Sequence, residues 1–290
     1  MVIFGVIGTK GGVGKTTLSA NLGALLADMG LRVLLVDADV QASLSKFYKL
    51  KHQAPQGLVK TVQSGIVTED CISSTVFDGL DIILSDSPRR QVTMDDANSD
   101  IERYLSTRMD MPLIMRRALR CQFIQDIYDI VIVDTPGAQG YLLSSAALSA
   151  HKLICPVLPE APSAREFNAG TISLLKKLSE AESIGVKHGD VTAVINRATQ
   201  TRDARQIIDE IRKSYLDYEG HVTVANTIIP HSVIYNEAAT AQLPVHRVQK
   251  RDSSSGKAFE TMHQLAWELL PNIRGVYAGG FEVEEGGNKE

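Results

Sequence analysis

Gly8-Thr9-Lys10-Gly11-Gly12-Val13-Gly14-Lys15-Thr16-Thr17, preceded by the apolar run Val2 to Ile7, decides how the rest of the chain is read. The run has strand length and no polar alternation, as expected of a strand buried on both faces of a parallel sheet. Past the glycines, Leu18, Leu22, Leu25 and Met29 recur at helical spacing and Gly30 offers a C-cap, so the unit is strand, glycine loop, helix. In that context G-x-x-x-x-G-K-T is a phosphate loop. Its glycines let successive N–H groups converge on phosphate oxygens, and the helix that follows turns its positive end toward them. Lys15 is then placed for the β- and γ-phosphates and the Thr16 hydroxyl for Mg²⁺.

Working outward, Val33 to Val36 is a second buried strand, ending in Asp37-Ala38-Asp39. Leu80 to Leu84, Ile130 to Val133, Lys152 to Leu158, Val191 to Ile195 and Thr227 to Ile229 repeat the pattern. Strands separated by helical stretches imply right-handed crossovers, hence an α/β fold with a doubly wound, mostly parallel sheet flanked by helices on both faces: the P-loop NTPase architecture. Asp134, at the end of the Ile130 to Val133 strand, is placed to hold the water shell of the ion that Thr16 ligates. The stretch Ser85 to Asp126, crowded with Pro88, Arg89, Arg90, Asp95, Asp96, Arg116 and Arg117, reads as helices covering one face. Lys250 to Lys257 reads as a polar loop, and Phe259, Met262, Ala266 and Leu269 mark a last amphipathic helix stopped by Pro271. The expected organisation is one domain over residues 1–272 and a frayed, acidic, glycine-rich tail over 273–290.

With 290 residues the chain can bury one large core without disulfides or structural metals. Its three cysteines, Cys71, Cys121 and Cys155, are widely spaced and form no C-x-x-C, which argues against a zinc or iron-sulfur clip and fits a reducing cytoplasm. A net charge of −4 excludes coating of nucleic acid through overall charge and leaves room only for a local basic face. The apolar stretch from Tyr141 to Leu158 is broken by His151 and Lys152 and is not a membrane span.

Lys10 is a second lysine inside the loop. Lys10-Gly11-Gly12-Val13-Gly14-Lys15-Thr16-Thr17, Val36-Asp37-Ala38-Asp39-Val40-Gln41-Ala42-Ser43 and Val133-Asp134-Thr135-Pro136-Gly137 together resemble the deviant Walker A ATPases of the ParA/MinD type. The likeness extends to Ile228-Ile229-Pro230-His231-Ser232-Val233-Ile234-Tyr235-Asn236-Glu237-Ala238 and then Leu243-Pro244-Val245, similar to the C-terminal pattern of ParA-like (Soj-like) partition ATPases. The resemblance implies ATP and Mg²⁺ as cofactors, bound through Gly11, Gly12, Val13, Gly14, Lys15, Thr16 and Thr17, with Asn196 and Pro230 at the adenine. It implies metal ligation by Thr16, Asp37 and Asp134, catalytic roles for Lys10, Lys15 and Asp39, and slow, partner-stimulated hydrolysis. Lys10 would reach the nucleotide of the opposite subunit in a two-fold dimer, in the manner of an arginine finger. Two switch positions depart from the family: Val40 stands where D-P-Q is usual, and Gly137 where D-x-P-P is usual.

The partition reading implies an ATP-dependent homodimer, non-specific DNA, a ParB-like activator and a cytoplasmic, nucleoid-associated location. Its candidate DNA contacts are Arg197, Arg202, Arg205, Arg212, Lys213, Arg247, Lys250 and Arg251. No helix-turn-helix precedes the loop in this sequence, which leads away from operator-specific binding. The alternative is a MinD-like membrane-positioning ATPase. That alternative needs a basic amphipathic C-terminal helix, whereas the sequence closes on Gly279, Gly280, Glu282, Glu284 and Glu285, so stable membrane association is not expected.

Overall fold

A computed structural model describes residues 1–86, 101–160, 170–216, 222–248 and 253–279. Pro88, Arg89, Arg90, Asp95, Asp96, Lys250, Arg251 and the tail from residue 280 lie outside the described residues.

The first apolar run is strand β1 (Val2–Val6), the phosphate loop follows, and helix α1 (Lys15–Asp28) leads to β2 (Val33–Asp37). Next come β3 (Leu50–His52), α2 (Leu58–Ser64), β4 (Ser73–Thr75), β5 (Leu80–Ile83), α3 (Met111–Leu119), α4 (Gln122–Ile127), β6 (Ile130–Asp134) and α5 (Tyr141–Ser149). Then follow β7 (Lys152–Val157), α6 (Ile172–Ser179), β8 (Asp190–Ile195), α7 (Arg202–Leu216), β9 (Val222–Val224), α8 (Ile234–Ala241) and α9 (Ser253–Leu269). Among the described residues the strands form one sheet in the order β3-β4-β5-β2-β6-β1-β7-β8-β9. From β5 to β9 all pairs are parallel, and β3 and β4 add an antiparallel edge. The doubly wound, mostly parallel sheet expected from the sequence is present.

Strand alternation sends two sets of side chains into two cores. Ile3, Leu34, Val36, Val131 and Val133 meet α2, α3, α5 and α6 on one face. Phe4, Val6, Val33, Leu35 and Ile132 meet α1, α8 and α9 on the other. Both faces are covered, which is why these strands read as unbroken apolar runs.

Three differences from the sequence reading have local causes. The ninth strand is Val222–Val224, paired with Val191 to Ala193, and not Thr227 to Ile229. Glu268 of α9 accepts bonds from the Asn226 backbone N–H at 2.6 Å, its side chain at 3.0 Å and the Thr227 N–H at 2.9 Å, drawing the chain off the ladder. The final helix begins at Ser253, inside the stretch expected to be a loop, because serines are tolerated at a helix start. Residues 273–278 also pack, although the sequence reading assigned them to the tail. Ile273 and Ala278 are buried, and Trp267 donates its indole N–H to the Val276 carbonyl at 2.9 Å.

His263 anchors that return. The Ala278 N–H donates to Nε2 at 3.0 Å, so Nε2 must accept, and Nδ1 carries the proton it shares with the Phe259 carbonyl at 2.7 Å. Burial, helped by His246, lowers the His263 pKa below its ordinary value. A depressed histidine pKa means stability that is complete above the unfolded value near 6.5 and is lost as pH falls through the folded value. Acidification should therefore free the 275–279 segment. Trp267 is the single tryptophan and sits 4.8 Å from the Tyr277 ring, so its emission should report the release as a transition below pH 6.5. In His263→Phe the transition should vanish; an unchanged pH profile would show that His263 does not hold the segment.

Candidate active site

Phosphate chemistry requires a loop whose backbone turns sharply and a helix whose first N–H groups face outward. The loop meets that need at Gly14, the residue before α1, which is left-handed at φ 94°. A Cβ there would lie 2.3 Å from the Asn196 amide nitrogen, so only glycine lets that side chain approach. Lys15 is 7% exposed and donates to the Lys10 carbonyl at 3.3 Å, which folds its ammonium over the loop. Lys10 is half-buried. Gly12 is also left-handed, at φ 78°, while Val13 is buried and fixes the loop to the body.

Behind the loop stand two buried carboxylates at the ends of adjacent strands, Asp37 on β2 and Asp134 on β6, in direct register. Asp134 accepts from the Thr16 hydroxyl at 2.7 Å and from the Ser19 hydroxyl at 3.0 Å. Burial pushes Asp134 up to about 7; Thr16, Ser19 and Lys15 oppose the rise and Asp37 adds to it. Asp37 is pushed up to about 6, again mainly by burial. A hydroxyl beside two carboxylates is an all-oxygen donor set of the kind that suits a hard divalent cation such as Mg²⁺. Two desolvated carboxylates also gain from positive charge beyond what Lys15 supplies.

Asp37 has a second occupation. It accepts from the Asp39 N–H at 3.1 Å and from both the N–H and hydroxyl of Ser45 at 2.7 Å each, so it anchors the loop 38–45 as well as facing Asp134. Asp39 is half-buried and caps the Gln41 N–H at 3.0 Å. Gly137 lies against the phosphate loop: a Cβ on it would sit 3.3 Å from the Gly11 backbone and 3.4 Å from the Lys15 Nζ.

A cavity of about 210 Å³ adjoins the loop, walled by Gly14, Thr17, Asn196, Pro230, Tyr235 and Met262 among others. Asn196 and Pro230 thus line the same cavity beside the loop. Asn196 is buried, with its amide donating to the Val13 carbonyl at 2.8 Å and its oxygen accepting from the Arg197 N–H at 3.0 Å.

The basic residues expected to form a DNA face do not all share one. Arg197 donates to the Gly12 carbonyl at 3.1 Å and belongs to the phosphate loop. Arg247 pairs with buried Asp28, donating from Nε at 2.7 Å, and lies 4.8 Å over the Phe77 ring, so it ties the segment before α9 to α1. Arg197 stays exposed while making this contact, and Arg247 is partly buried by its own; neither partner is visible in the sequence because both are remote along the chain. Arg212 is half-buried, while Arg202, Arg205 and Lys213 are exposed on α7.

Sequence reasoning missed Ser19 and Ser45. Ser19 lies three residues after Thr16, one turn along the same helix face, a spacing that carried the signal. Ser45 carried none. Among the described residues no three or more His, Cys, Asp or Glu side chains gather as a metal site, and no described helix is long and apolar enough to cross a membrane.

Comparison with known proteins adds independent lines. Residues 1–184 match the family described as AAA domain. The sporulation initiation inhibitor protein Soj of Bacillus subtilis is 30% identical over 277 residues, covering 93% of this chain and 98% of Soj. The chromosome-partitioning ATPase Soj of Treponema pallidum is 26% identical over 242 residues, covering 82% and 87%. Among solved structures, a McdA–ATP complex from Cyanothece superposes with a TM-score of 0.74 at 18% identity over 93% of this chain and 96% of that one, a likeness of fold. Given the family match over more than half its length and a Soj relative aligned almost end to end, this chain belongs to the AAA domain family, as a P-loop ATPase of the ParA/MinD type.

Proposed function

We propose that the chain is a ParA-type partition ATPase that binds Mg-ATP at the phosphate loop, pairs face to face when loaded, holds DNA without sequence preference and is released when a ParB-like partner stimulates hydrolysis. The observation that carries this reading is the loop's pair of lysines, Lys15 buried and Lys10 half-buried, backed by Asp134 and Asp37. The end-to-end likeness to Soj supports the cellular role.

In this reading Lys15 neutralises charge on the β- and γ-phosphates. Mg²⁺, when bound, supplies a second positive centre to the same oxygens. Thr16 and Asp134 would hold the ion, with Asp37 beside them. Asp39 orients the attacking water, and Asn196 and Pro230 border the adenine. Lys10 serves the partner's nucleotide: its own loop's inner cation is Lys15, which donates to the Lys10 carbonyl, and Lys10 itself is only half-buried.

Lys15→Ala should weaken ATP binding by about 100-fold, the equivalent of roughly 3 kcal/mol for a charge-assisted contact. Titration with a fluorescent ATP analogue measures it, and parental affinity in the variant would remove the loop from consideration as the nucleotide site.

Lys10→Ala should bind nucleotide within about threefold of the parent yet fail to dimerise and lose most of its hydrolysis, because a trans contact contributes only across the interface. Light scattering in ATP and in ADP separates these effects. A variant that still dimerises with ATP would rule out the trans assignment.

For DNA the exposed residues of α7 are the candidates. Arg202→Ala with Arg205→Ala should weaken binding to unrelated duplexes equally and flatten the slope of log K against log salt by roughly 0.9 for each lost phosphate contact. Mobility shifts at two salt concentrations, in ATP and ADP, are the measurement. An unchanged slope would place the DNA face elsewhere, and ATP dimers that ignore DNA but sediment with anionic vesicles would favour the membrane alternative.

A further inference from the structure

The sequence reading grouped Arg197 with basic residues facing DNA, but the geometry ties it to the phosphate loop. A cradle for phosphate works only if its peptide planes are turned with N–H inward and C=O outward, and a hydrogen bond from a side chain to an outward carbonyl favours that orientation even where, as at Gly12, the carbonyl is exposed. Two consecutive carbonyls of this loop, on Gly12 and Val13, are held by two consecutive side chains at the end of β8. Asn196 holds the Val13 carbonyl at 2.8 Å, and Arg197 holds the Gly12 carbonyl at 3.1 Å. The two holders are linked, since the Asn196 side-chain oxygen accepts from the Arg197 N–H at 3.0 Å. That bond accompanies a left-handed backbone at Arg197, φ 54°, which is uncommon for a residue with a side chain. The turn sends the chain back past the loop and the guanidinium across to Gly12.

We propose that Arg197 is a positioning residue for phosphate binding, fixing the Gly12 peptide in the orientation the cradle needs. This rests on the reading of residues 8–17 as the nucleotide site. The effect is exerted through the loop, so it should fall equally on every ligand that enters the cradle, with or without a nucleoside.

Arg197→Gly tests it while relieving the left-handed backbone. Calorimetric titration with ATP, ADP and inorganic tripolyphosphate should show the same loss, about 5- to 10-fold, for all three. The KM for ATP should rise by that factor while kcat at saturating ATP stays within about twofold, and the melting temperature should hold or rise because glycine accepts φ 54° freely. Arg197→Asn, which also tolerates the left-handed region, should reproduce the loss if the glycine variant proves too flexible to fold well. A loss for ATP and ADP but not tripolyphosphate would mean a nucleoside contact and overturn the proposal, as would a loss for ATP alone. So would parental affinities combined with weakened DNA binding. A parent protein that binds neither ATP nor tripolyphosphate would overturn the reading of the loop itself, and the proposal with it.

Discussion

The constraint on which the molecule turns is the burial of the Asp134 carboxylate at the end of a central strand. An uncompensated carboxylate in such a place is costly. Here it is met by two hydroxyls from one helix face, Thr16 and Ser19, and by the nearby charge of Lys15. Those contacts fix α1 against β6 both in rotation and along its axis. Because the phosphate loop is the short link between β1 and α1, the same contacts fix the loop. Burial that raises Asp134 to about 7 is thus the counterpart of a site organised for cations: the group that destabilises the empty fold is the one that rewards positive charge arriving beside it.

Register across the sheet carries this arrangement outward. Asp37 and Asp134 face each other because β2 and β6 pair from Val33 with Ile130 onward without a bulge. Asp37 passes the order on through Ser45, whose hydroxyl also accepts from the Ser85 N–H at 2.9 Å beyond β5. The loop 38–45, which carries Asp39 and the unusual Val40, is therefore held at its base by a buried carboxylate while Asp39 itself is half-buried. A change of charge near Asp37 has a direct route to the geometry of that loop.

How much of this was legible in the sequence depended on how local each signal was. The phosphate loop is one continuous motif between a strand and a helix, so its residues could be placed without knowing the fold. The central strands were legible because burial on both faces leaves Val2–Val6, Val33–Val36 and Ile130–Val133 uniformly apolar. The edge strands Leu50–His52 and Ser73–Thr75 were not, since three residues show no period and one is flanked by polar positions. The contacts of Arg197 and Arg247 were not legible because a cation in sequence carries no sign of its partner. Their acceptors, Gly12 and Asp28, lie 185 and 219 residues away. Such pairings belong to tertiary structure, and spacing rules do not reach them.

The departure at Gly137 acquires a physical meaning from its neighbours. A Cβ there would come within 3.3 Å of the Gly11 backbone and 3.4 Å of the Lys15 ammonium, tighter than most real contacts. The proline usual in the family would press on the phosphate loop at the point where Lys15 folds over it, and either the loop or the segment after Asp134 would have to yield by a few tenths of an ångström. Glycine removes that pressure and lets the two segments lie in contact. The segment after Asp134 and the loop that presents Lys15 therefore approach each other closely, with room at Gly137 for a glycine and little for a side chain.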